Sequence, residues 1–148
     1  MKIALGADDH YPILKTIYTL LEEAGHTIHL CSPSCLNEAC PCLSWPQAGL
    51  AVAKAVSQKL CDEGIAICWS GTGVGIAANK VKGIRAALCT DALTAQAARV
   101  WNHANVLALS SRLLSEDLAK EILHSWFSPV DTTKGAKDLA YLEAIEGE

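Results

Sequence analysis

Short apolar runs alternate along the chain with stretches whose apolar residues recur at three- and four-residue spacing. The runs cover residues 2–7, 26–31, 64–70, 84–89 and 105–110, and their length and bounding polar residues predict five strands. The helical spacing predicts six helices: from Ile13 to Gly25, over 46–60 after an opening Pro46, over about 75–81, over 91–102, from Ser115, and over about 134–146.

Continuous apolar strands that alternate with helices predict a parallel sheet covered on both faces, because each crossover helix packs back onto the sheet. The 148 residues contain no repeat and no linker, so we expect one domain over 1–148. Such sheets bind ligands beyond the carboxyl ends of their strands. We therefore expect a site where polar residues cluster at these ends, in 8–10, the loop after Ile67, 89–91 and 110–112.

Composition excludes several classes of function. The net charge of -4 provides no basic surface for nucleic acid. The apolar start of the chain is too short for a signal peptide, and no run approaches the length of a membrane span. We expect a soluble, cytoplasmic protein that binds neither nucleic acid nor membrane.

Four of the seven cysteines, Cys31, Cys35, Cys40 and Cys42, lie in one segment, CSPSCLNEACPC. Their spacing lacks the paired C-x2-C units separated by a longer loop that are typical of structural zinc. We interpret them as loop thiols and expect no metal.

The segment CWSGTGVGIAANK, residues 68–80, is the strongest candidate for chemistry. It lacks the lysine spacing of a phosphate-binding P-loop. Gly71, Gly73 and Asp91 fit a dinucleotide fingerprint, but Ile76 stands where the third glycine belongs. A nucleotide-dependent enzyme that uses the GTGVG loop is therefore a weak alternative.

Cys68 stands at a predicted strand end, before flexible backbone whose amides can converge on an anion. A helix N-terminus follows and favours a thiolate. Such a thiolate can remove the proton beside a sugar carbonyl, and the amides can stabilise the resulting enediolate. Taken alone, however, Cys68 also fits an inert cysteine buried in a strand.

Residues 76–112, IAANKVKGIRAALCTDALTAQAARVWNHANVLALSSR, resemble the ribose-5-phosphate isomerase B and galactose-6-phosphate isomerase family, and the similarity extends over nearly the whole chain. The resemblance implies a Rossmann-like three-layer α/β/α sandwich with a five-stranded parallel sheet. It also implies a homodimer, which can pair into a dimer of dimers, with sites at the subunit interface and a C-terminal helix that packs on the partner. The implied reaction is aldose-ketose isomerisation of a sugar or sugar phosphate, without metal or cofactor.

Residue by residue, the resemblance places the proton-abstracting cysteine at Cys68 and the threonine of its loop at Ser70. Arg112 matches a phosphate-contacting arginine, and Lys134 and Lys137 stand near the family's C-terminal phosphate-binding arginines. The expected substrate-binding residues are Asp8, Asp9, Trp45, Gly71, Thr72, Gly73, Gly75, Asn79, Trp101, Asn102, Arg112, Lys134 and Lys137.

Several positions depart from the family pattern. Asp9 replaces a histidine, and Trp69 replaces the glycine after the catalytic cysteine. Trp101 replaces the ring-opening histidine, and an indole cannot exchange protons as an imidazole does. We expect His10 or His103 to open the sugar ring in its place, unless the substrate is already open.

The resulting expectation is a metal-independent isomerase of a pentose or hexose phosphate, of the type that converts ribose 5-phosphate to ribulose 5-phosphate. The two alternatives are the nucleotide-dependent enzyme and a non-catalytic relative that binds a sugar phosphate. Asp9 and Trp101 are the residues that motivate the second alternative.

Overall fold

The computed structural model describes residues 1–39 and 41–147. Its strands are β1 (Lys2–Ala7), β2 (Thr27–Leu30), β3 (Glu63–Cys68), β4 (Ala86–Leu88) and β5 (Val106–Ser110). Its helices are α1 (Pro12–Glu23), α2 (Trp45–Ser57), α3 (Thr72–Ala78), α4 (Ala92–Asn102), α5 (Glu116–Trp126) and α6 (Ala136–Glu146). A 3₁₀ turn over Pro33–Leu36 lies within the cysteine-rich segment.

The five strands form one parallel sheet in the order β2-β1-β3-β5-β4. After β1 the chain adds β2 on one side, and it then returns to add β3 on the other. The carboxyl ends of β1 and β3 therefore flank the point where strand order reverses, which is where open α/β sheets form a ligand crevice.

Helices cover both faces of the sheet, as the sequence predicts. The helices α1, α4 and α5 bury Ile17, Ala95 and Ile122 against one face. The helices α2 and α3 bury Val52 and Val74 against the other. The predicted three-layer α/β/α fold is confirmed. Among the described residues, no helix combines the length and apolar character that crossing a bilayer requires.

The boundary of α3 differs most from its prediction. The helix begins at Thr72 rather than near Gly75, and it ends at Ala78 rather than at Val81. Gly71 adopts a left-handed φ of 77° and turns the chain directly into the helix. The Asn79 side chain then donates to the Ala86 carbonyl (2.9 Å) and accepts from the Ala86 amide (2.8 Å), so it joins the end of α3 to the start of a β4 only three residues long.

A buried polar cluster joins β3 to α4 and α5. Glu63, at the amino end of β3, pairs with the Arg99 guanidinium at 2.6 Å and accepts the Trp126 indole N–H at 2.7 Å. The Arg99 guanidinium also lies 5.2 Å from the centre of the Trp126 ring. The Trp126 side chain is fully buried and belongs to the core.

Candidate active site

Cys68 is the last residue of β3, and its side chain lies on the α2 and α3 face of the sheet. Only 4% of its surface is exposed. The Gly71 amide donates to the Cys68 Sγ at 3.2 Å. An N–H directed at sulfur can stabilise negative charge that develops there.

The position of the Gly71 amide depends on the absence of a side chain. A Cβ at residue 71 would lie 2.5 Å from Leu88 Cδ1 and 2.9 Å from the Leu109 carbonyl carbon. The left-handed φ adds a second penalty for any other residue. Because residue 71 is glycine, the turn packs closely against β4 and β5, and the Gly71 amide lies within hydrogen-bonding distance of the Cys68 sulfur.

Beside Cys68 lies an open cleft of about 360 Å³. Six residues that the sequence assigns to the site line it together with two that it does not, and the full set is Asp8, Trp45, Cys68, Trp69, Ser70, Thr72, Gly73 and Ile76. The Ser70 and Thr72 hydroxyls lie 2.7 Å apart and share a hydrogen bond. Ser70, Thr72 and Asp8 thus bring two hydroxyls and a carboxylate to the cleft that Cys68 also lines.

Trp45 enters the cleft because α2 begins beside the glycine loop. A Cβ at Gly73 would lie 2.8 Å from the Trp45 ring, so the indole packs directly on the backbone of residue 73.

Gly75 plays a different part from the one expected. It is buried inside α3 near Ala108, and the structure assigns it to helix packing rather than to the cleft.

Tyr11 is a residue that the sequence analysis missed. Its hydroxyl donates to the Asp8 Oδ1 at 2.7 Å, and burial together with this hydrogen bond to Asp8 raises the pKa of the phenol above its usual range. Tyr11 therefore remains a neutral donor that orients Asp8. The only available signal was its position three residues after the aspartate, and local spacing cannot establish that contact.

Arg112 supplies positive charge next to the cleft. Its guanidinium lies 5.2 Å from the centre of the Trp69 ring, and Trp69, Arg112 and Tyr11 help to line a neighbouring depression of about 440 Å³. The Asp9 side chain, by contrast, accepts the amide of His10 at 2.7 Å and does not line the cleft. Arg112 is therefore a positively charged residue next to the cleft that can attract a phosphate.

The structure places His10 beside the cysteine-rich segment. Its ring Nδ1 lies 3.3 Å from the Cys35 carbonyl oxygen, and its Nε2 lies 3.6 Å from the Cys42 Sγ. His10 follows the cleft residue Asp8 by two positions but does not itself line the cleft. Its expected part in ring opening stays a prediction.

Another group of predicted site residues meets at a separate corner, defined by Trp101, Asn102, His103 and Lys134. The His103 Nε2 lies 2.6 Å from the Lys134 carbonyl oxygen, and the Lys134 ammonium lies 6.0 Å from the centre of the Trp101 ring. Because α4 runs back from the carboxyl end of β4, its last residues lie at the amino edge of the sheet. This corner is therefore remote from the Cys68 of the same chain.

Asn79 and Lys137 also lie outside the cleft. The two hydrogen bonds of Asn79 to the Ala86 backbone give it a structural role, and Lys137 is exposed near the start of α6. Within residues 1–39 and 41–147, no group of three His, Cys, Asp or Glu side chains is arranged to hold a metal ion. The predicted loop thiol Cys40 lies outside the described residues.

Comparison with known proteins places these features in context. Residues 3–141 match the protein family described as ribose/galactose isomerase. The chain is 39% identical over 129 residues to a D-erythrulose-4-phosphate isomerase of Pectobacterium atrosepticum, a match that covers 85% of this chain and 82% of the relative. It is 45% identical over 101 residues to ribose-5-phosphate isomerase B of Escherichia coli, with 68% and 66% covered.

Solved structures extend the similarity over the whole fold. A ribose-5-phosphate isomerase B of Clostridium thermocellum superposes with a TM-score of 0.90 at 36% identity and covers 99% of this chain and 98% of its own. The enzyme of Mycoplasma genitalium, solved with bound ribulose 5-phosphate, gives a TM-score of 0.83 at 30% identity, with 99% and 94% covered.

Proposed function

The chain belongs to the ribose/galactose isomerase family of sugar-phosphate isomerases, and we propose that its Cys68 is the base that interconverts an aldose phosphate and the corresponding ketose. In the aldose direction, the Cys68 thiolate removes the proton from C2, and the electrons of that C–H bond form the enediolate. The thiol then returns a proton to C1. The reverse sequence converts ketose to aldose.

The observation that carries this proposal is the hydrogen bond from the Gly71 amide to the Cys68 sulfur at the reversal point of the sheet. This N–H would stabilise negative charge on the sulfur when Cys68 acts as a base. Ser70 and Thr72 line the same cleft as Cys68, and we propose that their hydroxyls donate to the enediolate oxygens as charge develops on them.

The phosphate of the substrate is expected to bind near Arg112, whose guanidinium offers two parallel donors to an oxyanion. We propose further cationic contacts from Lys134 and Lys137 of the partner subunit in a homodimer. Within one chain, the corner that contains Lys134 lies at the opposite edge of the sheet from Cys68. A second subunit would therefore have to bring these positive charges to the cleft.

Ring opening is assigned to His10 or His103. Trp101 cannot exchange a proton near neutral pH, whereas either imidazole can. His10 is on the chain that supplies Cys68, and His103 belongs to the corner that a partner would present. If replacing each histidine by alanine leaves turnover of a mostly cyclic substrate unchanged relative to one that cannot close a ring, this assignment is wrong.

The decisive test is replacement of Cys68 by alanine. We expect the variant to fold, because alanine fits where a cysteine is buried, and to lose activity by about 10²- to 10⁴-fold, the usual contribution of a general base. The measurement is deuterium exchange followed by NMR, at C2 of the aldoses ribose 5-phosphate and galactose 6-phosphate and at C1 of the ketose D-erythrulose 4-phosphate.

Cys31→Ser is the matched control, because it also removes a thiol but lies outside the cleft. Activity of Cys68→Ala within about tenfold of the wild type would exclude the proposed base. Wild-type protein that binds these sugar phosphates but exchanges no proton of any of them would instead identify a non-catalytic relative, the alternative that Asp9 and Trp101 motivate.

A further inference from the structure

Two cysteines that the proposed isomerisation does not use meet His10, one of the two candidates for ring opening. The Cys35 Sγ lies 2.8 Å from the Cys42 Sγ. The His10 ring nitrogens lie 3.6 and 3.8 Å from the same Cys42 sulfur. A disulfide bond is about 2.05 Å long, so the two sulfurs need to approach by only roughly 0.8 Å to become bonded.

We propose that Cys35 and Cys42 form a peroxide-reactive dithiol that closes reversibly to a disulfide, with His10 as the group that takes up the proton of Cys42. The two thiols take no part in the proposed isomerase chemistry. The pair is a modification site, and its oxidant is a hydroperoxide.

The chemistry balances in two steps. The Cys42 thiolate attacks the hydroperoxide, the O–O bond breaks, and Cys42 becomes a sulfenic acid while the rest of the peroxide leaves as an alcohol or water. The Cys35 sulfur then attacks the sulfenic sulfur, the S–S bond forms, and the hydroxyl leaves as water with the Cys35 proton. Two thiols are oxidised by two electrons, and one peroxide is reduced.

The order of the two steps follows from exposure. Cys35 is 4% exposed, and its thiol donates to the Ala7 carbonyl at 2.9 Å. Cys42 is only half-buried and has the imidazole beside it. The peroxide therefore reaches Cys42 first, and Cys35 is positioned to resolve the sulfenic acid.

Other cysteines provide an internal contrast. Burial raises the pKa of Cys31 to about 11 and the pKa of Cys89 to about 12. Since the thiolate is the reactive form, these thiols should resist peroxide. Cys31 lies in the same segment as the dithiol and is therefore a suitable internal control.

Formation of the disulfide would change contacts next to the cleft. The Cys35 thiol would no longer donate to the carbonyl of Ala7, which directly precedes the cleft residue Asp8. On the other side, Cys42 precedes the cleft residue Trp45 by three positions. The disulfide would thus close a loop within the segment that leads to Trp45 and remove the hydrogen bond that ties this segment to Ala7.

The test treats the full-length protein with hydrogen peroxide and maps its cysteines by mass spectrometry. We expect a cross-link between Cys35 and Cys42 with the loss of two hydrogen atoms, which dithiothreitol reverses. Cys31→Ser should keep this cross-link. Cys35→Ser should instead accumulate a Cys42 sulfenic acid that dimedone labels, and Cys35→Ala provides the same readout if the serine variant folds poorly.

The role of His10 is tested by measuring the rate at which dimedone labels Cys42. His10→Gln should slow dimedone labelling of Cys42 in the Cys35→Ser background by at least about tenfold, because less thiolate is then present. A cross-link that joins Cys42 to any other cysteine, or equal labelling of Cys42 and Cys31, would overturn the proposal. An unchanged rate in His10→Gln would remove the histidine from it. None of these readouts depends on isomerase activity.

Discussion

Trp69 directly follows Cys68, the proposed base, and 64% of its surface is exposed. Its ring lines the cleft and carries the Arg112 guanidinium. The family that the chain resembles has a glycine at this position, so the indole takes up space that those relatives leave open. Trp69 is therefore the residue we expect to limit substrate length.

Replacing Trp69 by glycine should shift preference toward longer sugars. We expect the ratio of kcat/KM for galactose 6-phosphate to that for ribose 5-phosphate to rise by about tenfold, since a steric clash with one sugar carbon is worth roughly 1–3 kcal/mol. The measurement is initial rates with both substrates. Trp69→Phe is the control, because it keeps an aromatic ring against Arg112 and should preserve the preference.

An unchanged ratio in Trp69→Gly would show that the indole does not bound the substrate. A fall in activity with both substrates alike would point instead to the loss of Arg112 positioning, because that guanidinium packs on the same ring.

At the scale of elements, the turn between β3 and α3 sets the geometry of the site. Gly71 and Gly25 both have left-handed φ angles, of 77° and 82°, but their surroundings differ. A Cβ at Gly25 would meet nothing within 4 Å, whereas one at Gly71 would meet Leu88 at 2.5 Å. The pair therefore separates backbone strain from steric overlap.

Gly25→Ala should lower the free energy of unfolding by about 1–2 kcal/mol, the usual penalty for a side chain in the left-handed region. Gly71→Ala should cost about 1–3 kcal/mol more, because the core around Leu88 must also move. Urea unfolding of both variants measures the difference. Equal costs would mean that the turn can relax away from β4 and that its close packing is not required.

The start of α4 predicts a pH dependence. The Asp91 carboxylate accepts the Thr94 amide at 2.7 Å, and this hydrogen bond from Thr94 lowers the pKa of Asp91 below its ordinary value of 3.8. A lowered pKa contributes stability that is present above the unfolded-state value. That stability is lost as pH falls through the folded-state value.

Asp91→Asn keeps an oxygen acceptor at the helix start but does not titrate. We expect the free energy of unfolding of the wild type to fall relative to that of this variant as the pH is lowered from 6 to below 3.8. Urea titrations across this range measure the difference. A difference that stays constant with pH would contradict the assigned hydrogen bond.

At the scale of the whole molecule, the candidate site residues lie at two opposite edges of the sheet. The Cys68 cleft lies at the carboxyl edge, and the corner with Trp101 and Lys134 lies at the amino edge. Trp101 is 54% exposed, and the α6 residues Tyr141 and Ile145 are 71% and 68% exposed. These apolar surfaces suit a second copy of the chain that joins one edge to the other.

Complementation between subunits tests this arrangement. Cys68→Ala and the double variant Asn102→Ala/Lys134→Ala should each be weakly active alone. Co-expression should restore about a quarter of wild-type activity, since half of randomly formed two-fold dimers are mixed and each mixed dimer has one intact site. Sedimentation should give a mass of twice 15.7 kDa.

If each site lies within one subunit, no combination of these variants assembles an intact one. Co-expressed subunits would then show only the average of the two parent activities. A fully active monomer would also contradict the shared site.

Local sequence determined much of this protein. Residues 2–7 and 64–70 read as strands because short apolar runs need burial on both faces. Ser115 was recognised as a helix start, and its hydroxyl accepts the Leu118 amide at 3.0 Å. Cys68, Ser70, Thr72 and Gly73 were assigned to one site because they are neighbours in a single turn, and a turn keeps its own residues together whatever the rest of the chain does.

Tertiary structure decided what no local pattern contains. The pairing of β1 with β3 brings Asp8 to Cys68, and the return of α4 carries Trp101 and His103 to the far edge. The local sequence does not determine whether the Arg99 charge is exposed to solvent. The structure pairs it with Glu63 at the start of β3. These outcomes depend on which strands are neighbours, and strand order is fixed by burial summed over the whole chain rather than by any single segment.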